Sequence, residues 1–114
     1  MIDEYRTGSH MTVNGKTYHQ DLKIIRSEVK GQWWRREGHR LNPDDIQDIL
    51  AARPEVLVIG TGYAGNMRVP DSLRRAIENH QIKVIAETTA DATRTYNRLI
   101  KEGQDVAGAF HLTC

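Results

Sequence analysis

The sequence predicts an α/β domain: a parallel core sheet built by the second half of the chain, with an added β portion from the N-terminal half. Three observations carry this. Short apolar runs at Val56–Ile59, Ile82–Ala86 and Val106–Leu112 alternate with stretches of helical periodicity. Strands joined by single helices imply right-handed crossovers and parallel pairing. Residues 1–37, by contrast, carry no helical period and contain Asn14-Gly15 between β-prone segments, the strongest short hairpin signal, because a type I′ turn needs positive φ at both central positions.

In the N-terminal portion, Met11–Val13 and Lys16–Tyr18 flank that turn, and Leu22–Ile25 and Gln32–Arg36 read as further strands. Asn42-Pro43 then opens a helix, with proline at the first helical position, where its missing N–H costs nothing. Asp45 follows three residues after the cap and favours the positive helix end. Ile46, Ile49 and Leu50 form an apolar stripe, and Arg53-Pro54 ends the helix. Val56–Ile59 is continuously apolar, as expected of a strand covered on both faces. After a loop from Gly60 to about Val69, a helix running to about His80 buries Leu73, Ala76 and Ile77. Ile82–Ala86 is a strand. Thr88 caps a third helix, with Asp91 in the capping-box position, and that helix buries Ala92, Tyr96, Leu99 and Ile100. Gly103 stops it, and Val106–Leu112 is the last strand.

With 114 residues, the chain fits a single domain, 1–114, divided into a β-rich portion (1–37) and an alternating portion (38–114). Sixteen basic residues against fifteen acidic ones give a net charge of +1. Such a balance excludes a disordered polyelectrolyte and gives no electrostatic case for nucleic acid. No apolar run approaches the roughly 20 residues of a membrane span. The single cysteine, Cys114, forms no internal disulfide, and a cytoplasmic location is expected.

Four features invite a chemical reading. Gly60-Thr61-Gly62-Tyr-Ala-Gly65 is a formal G-x-G-x-x-G after a buried strand, with Arg68 as the nearest cation. Such glycines can admit a phosphate or other anion, and Glu87 lies near the place of a ribose-binding acid, roughly 20 residues on. Against this, Asn66–Val69 and Pro70 delay the helix, so a glycine-rich turn leaving a strand explains the pattern better. The second feature is Trp33-Trp34-Arg35-Arg36 with His39, the composition of a protein interface. Alternation puts Trp34 and Arg36 on one face, Trp33 and Arg35 on the other. Third, His111 and Cys114 suggest a thiol nucleophile. In a continuing strand, however, they would point to opposite faces, and the neighbouring terminal carboxylate would disfavour a thiolate. No catalytic residue is assigned. Finally, His10, His19, His39, His80 and His111 lie at no chelating spacing with one another or with Cys114, so no metal and no cofactor is expected.

Trp34-Arg35 … Gly38-His39, Leu57-Val-Ile-Gly-Thr-Gly62, Tyr96-Asn97 and Phe110-His111 … Thr113-Cys114, taken in this order, resemble the "Mth" domain family. Its animal members include an adipogenesis-associated protein and, more distantly, a mitochondrial complex I assembly factor. The resemblance spans about Ile2 to Cys114. It implies three layers: a central mixed, mainly parallel sheet with helices against it and an antiparallel β portion. At least one central strand should then be antiparallel. No catalytic residue or cofactor comes with the family, and the assembly-factor relative implies partner binding.

The leading expectation is a non-enzymatic protein-binding or assembly module using Trp33, Trp34, Arg35, Arg36 and His39. The alternative is a small-molecule or phosphate-binding protein using Gly60, Thr61, Gly62, Gly65 and Arg68. A third reading is a Cys/His-dependent enzyme. An unknown protein partner is expected, with no nucleic acid and no membrane. An edge strand could also support a homodimer.

Overall fold

A computed structural model describes residues 1–114. The strands are β1 (Ile2–Arg6), β2 (His10–Val13), β3 (Lys16–Tyr18), β4 (Leu22–Ile25), β5 (Glu28–Lys30), β6 (Val56–Thr61), β7 (Lys83–Glu87) and β8 (Val106–His111); the helices are α1 (Gln47–Ala52), α2 (Asp71–Glu78) and α3 (Thr89–Lys101).

β1-β2-β3 form a small antiparallel sheet, and the central sheet has the order β5-β4-β8-β6-β7. β6 pairs in parallel with β7 and β8, whereas β4 runs antiparallel to both β8 and β5. The sheet is therefore mixed, as the resemblance implied. β4 and β5 belong to it although they lie in the β-rich N-terminal portion.

Alternation along β6 builds the layers. Val56 and Val58 face α3 and the small sheet, joining Leu22, Ile24, Ala92, Tyr96, Leu99, Phe110, Ile2 and Met11 in one buried cluster. Leu57 and Ile59 face the other way, onto Trp33, Ile46, Ile49, Met67, Leu73 and Ile77. A strand between two apolar layers has no polar face to spare. Phe110 requires space on its own strand: a Cβ on Gly108 would lie 2.4 Å from its ring, and one on Gly60 would lie 3.0 Å away.

Asn14 and Gly15 take φ of +49° and +84°, as the hairpin turn demands. Several details depart from the sequence reading. Gln32–Arg36 is not a strand. Gln32 adopts φ +53°, the Trp33 N–H donates to the Asp21 carbonyl at 2.8 Å, and the Arg36 N–H donates to the Asp45 carboxylate at 3.1 Å. These donors are therefore lost to a ladder. β1 and β5 were not separately legible in the sequence. A 3-10 turn over Pro43–Ile46 precedes α1, and Arg53 closes that helix in the left-handed region. Thr88 stands at the N-cap of α3 without capping a backbone N–H; its hydroxyl donates to the Asp91 carboxylate instead. No helix is long and apolar enough to cross a membrane.

α1 is clamped to the sheet by Lys23, whose Nζ donates to both Asp48 carboxylate oxygens at 2.9 and 2.8 Å. Burial alone would raise the Asp48 pKa. The Lys23 hydrogen bond and charge, the Ile49 N–H and Lys30 outweigh it and hold the pKa below the ordinary value. A carboxylate whose pKa is depressed by folding contributes stability above its unfolded pKa and loses it as pH falls through the folded value. Stability should therefore decline as pH drops below about 4. Asp48→Asn should lower stability at neutral pH and flatten this acid limb, as measured by urea unfolding across pH. An unchanged limb would show that the clamp adds nothing.

Candidate functional site

The site is organised by Asp21, just before β4. Its Oδ1 accepts the Leu112 N–H at 2.7 Å. Its Oδ2 accepts Arg35 Nη1 at 2.7 Å and lies 2.8 Å from His111 Nδ1. Burial pushes the Asp21 pKa up, but hydrogen bonds from His111, the Leu112 N–H and Arg35 prevail and hold it below the ordinary range. The ionised carboxylate can only accept, so His111 Nδ1 carries the shared proton. His111 Nε2 is then the free ring atom. It is buried and has no hydrogen-bond partner.

Arg35 is the second member. Only 4% of its side chain is exposed. Its Nη2 donates to the Gly38 carbonyl at 2.8 Å, and the guanidinium stacks 4.7 Å from the Trp33 ring centre. Trp33 is buried, with Nε1 donating to the Asp45 carbonyl at 3.0 Å. Trp34 points outward and is 77% exposed. Between them opens a cleft of about 260 Å³ whose lining includes His19, Asp21, Trp33, Trp34, Arg35 and Leu112.

The Gly60–Gly65 segment closes on the chain's own tail. Gly62 has φ +102°, and a Cβ there would lie 2.4 Å from the Cys114 carbonyl carbon. The Gly62 N–H donates to the Thr89 hydroxyl at 2.8 Å, and that hydroxyl donates to the His111 carbonyl. Tyr63 N–H donates to the Thr113 carbonyl, Asn66 N–H to Cys114 and Met67 N–H to Thr61. The Thr61 hydroxyl donates to the Glu87 carbonyl at 3.0 Å. Beyond this turn, Arg68 forms a parallel bridge with Arg40, and its side chain is exposed. The Arg68 N–H donates to the His39 carbonyl at 2.8 Å.

As a result, His39 and Cys114 sit together, with His39 Nε2 3.2 Å from Cys114 Sγ. The His39 and His111 rings meet edge to face at 5.6 Å. β8 ends at His111, so strand alternation does not separate His111 from Cys114: donor atoms of His39, His111 and Cys114 all lie within 4.8 Å of one another.

The chain matches a known family over residues 2–111, described as Protein of unknown function (DUF498/DUF598). The chain belongs to that family. Solved structures similar to it include a conserved hypothetical protein of Pyrococcus horikoshii, at 22% identity and TM-score 0.84, covering 100% of this chain and 99% of that one. The Xanthomonas campestris protein XCC1710 is 29% identical with TM-score 0.78, over 96% of this chain and 83% of that one. A Bordetella pertussis Mth938-like domain shares 22% identity and TM-score 0.70, over 98% and 85%. The DUF498/DUF598 assignment and the Mth938-like domain of Bordetella pertussis agree with the resemblance read from the sequence.

Of the residues predicted for partner binding, Trp33, Trp34 and Arg35 line the cleft. Arg36 turns away to pair with Asp44 at 2.7 Å, and His39 turns toward Cys114. Of the residues predicted for an anion, Gly62 packs on the tail backbone, Gly60 faces Thr89 and Phe110, Gly65 faces Thr61 and Thr88, and the Thr61 hydroxyl bonds the Glu87 carbonyl. Sequence reasoning missed Asp21, which no motif marks, and the meeting of His39 with His111 and Cys114, which only the tertiary fold creates.

Asp21→Asn should destabilise the fold by about 3–5 kcal/mol, since it leaves the Arg35 charge buried without its partner. Equilibrium urea unfolding reads this directly, and a loss below about 1 kcal/mol would contradict the organising role. Gly62→Ala should cost about 1–3 kcal/mol more than Gly103→Ala. Both positions have positive φ, but a Cβ on Gly103 meets nothing within 4 Å. Equal losses in thermal unfolding would mean the tail yields freely.

Proposed function

We propose that this chain is a non-enzymatic protein-binding or assembly module whose partner packs across Trp34 and sets an apolar side chain into the adjoining cleft. The observation that carries this reading is the exposure of Trp34 at the cleft mouth, 77% open to solvent, beside a wall formed by Trp33, Arg35 and Leu112. Exposed tryptophan next to a preformed recess is the composition of an interface anchor. The wall is rigid before binding, because Arg35 is fixed by Asp21 and Gly38, and a prearranged wall reduces the ordering cost of association. An anion at Gly60–Gly65, the other reading of the sequence, would have to displace the Thr113 and Cys114 main-chain oxygens from the Tyr63 and Asn66 N–H groups.

Trp34→Ala should leave unfolding stability within about 0.5 kcal/mol, as for most surface substitutions. It should also weaken partner binding by about 2 kcal/mol or more, roughly 30-fold. Affinity capture from source cells with wild-type and Trp34→Ala baits, read quantitatively, tests this. The reading predicts a specific partner strongly depleted on the variant. Identical recoveries would overturn it. Concentration-dependent sedimentation that collapses in Trp34→Ala would identify the partner as a second copy of the chain.

A further inference from the structure

His39, His111 and Cys114 bring two imidazoles and a thiol to one point, with donor atoms within 4.8 Å of one another. Linear spacing hides this, since His39 and Cys114 are 75 positions apart. The His39–Cys114 contact satisfies only part of the cluster. His111 Nε2 is buried and unpartnered, on a side chain only 6% exposed. A buried polar atom without a partner is uncommon and calls for an occupant. The opposite nitrogen of the same ring is fixed by Asp21 at 2.8 Å. A carboxylate on the far nitrogen is the arrangement that orients metal-ligating histidines and raises their basicity.

We propose that His39, His111 and Cys114 form a binding site for a zinc-class divalent cation, with Asp21 positioning His111. The donors select the class of ion. Imidazole and thiolate suit a borderline-soft cation, whereas magnesium and calcium prefer oxygen. Tetrahedral zinc, with bonds of about 2.0–2.3 Å, places its donors about 3.3–3.8 Å apart. The 3.2 Å His39–Cys114 separation is already close to that spacing. The remaining closure of about 1 Å falls to side-chain rotation at exposed His39 and half-buried Cys114, while the tail backbone stays held by the loop N–H groups. Three protein donors leave a fourth position for water or an incoming ligand. Arg35 lies close by, but its charge is matched by Asp21 at 2.7 Å. The test reads metal binding at residues outside the cleft lining, so its outcome does not depend on whether Trp34 binds a partner.

The test is a titration of reduced, chelator-treated protein with Co²⁺, followed by competition with Zn²⁺. One equivalent should bind and give a thiolate-to-cobalt charge-transfer band together with the visible bands of a tetrahedral site, all removed by Zn²⁺. Cys114→Ser should lose the charge-transfer band. His39→Ala should weaken binding by about tenfold or more. Both positions are at or near the surface, so these variants keep the test valid if a His111 variant fails to fold. Zn²⁺ should also raise the thermal midpoint of the wild type and not that of Cys114→Ser. Absence of a thiolate-to-cobalt band at equimolar metal would overturn the proposal. So would wild-type affinity in both His39→Ala and Cys114→Ser, which would place the ion elsewhere.

Discussion

The buried carboxylate of Asp21 ties together parts of the chain that share no regular secondary structure. Segment 31–42 has neither helix nor strand and lies between β5 and the 3-10 turn. Asp21 fixes the first part of this segment at two points, the Asp21 carbonyl taking the Trp33 N–H and the carboxylate holding Arg35 almost fully buried. The same carboxylate takes the Leu112 N–H just past the end of β8. A buried ion pair is a weak source of net stability, because desolvation offsets most of the Coulombic gain. What Asp21 supplies is definition: a segment without a ladder acquires one arrangement, and the tail acquires a fixed course beside it.

The glycine-rich loop does related work from the opposite side. Its glycines permit close approach, as they would around a pyrophosphate, yet the groups that approach are protein. Thr89 and Phe110 crowd Gly60, and the tail backbone crowds Gly62. The loop N–H groups of Tyr63 and Asn66 then hold Thr113 and Cys114, while Arg68 holds His39. In a dinucleotide fold the helix begins at the motif and aims its N-terminus at the phosphate. Here α2 begins only at Asp71, after Pro70. The same glycine spacing therefore serves tail docking.

Where local physics decides structure, the sequence was readable. Asn14-Gly15 declares its turn, and the apolar runs declare β6, β7 and β8. The turn from β4 to β5 has the same positive-φ geometry, but Arg26 and Ser27 carry it, at +47° and +69°. Residues that rarely adopt this region give no turn signal, which is why β5 went unread. Trp33 and Trp34 show a subtler failure. Their opposite burial agrees with the expected alternation, although the backbone there is not a strand. Asp21 pairing with Arg35 and His111 was illegible for a different reason: it depends on β4 lying antiparallel beside β8, a long-range pairing with no local signature.

The cleft and the histidine–cysteine cluster are built from interleaved residues. Gly38, Leu112 and Thr113 line the cleft, whereas His39, His111 and Cys114 make the cluster. The two sets are interleaved along the same two short segments, with Leu112 and Thr113 lying between His111 and Cys114, and Gly38 next to His39. Both segments are anchored by the same few groups, Asp21 and Arg35 on one side and the Gly62–Arg68 loop on the other. Displacing the tail to open the glycine loop would therefore remove a wall of the cleft and separate Cys114 from His39 in one step. The fold couples these surfaces through shared backbone, held at the tail by the Tyr63 and Asn66 N–H groups on the Thr113 and Cys114 main-chain oxygens and by the Asp21 carboxylate on the Leu112 N–H.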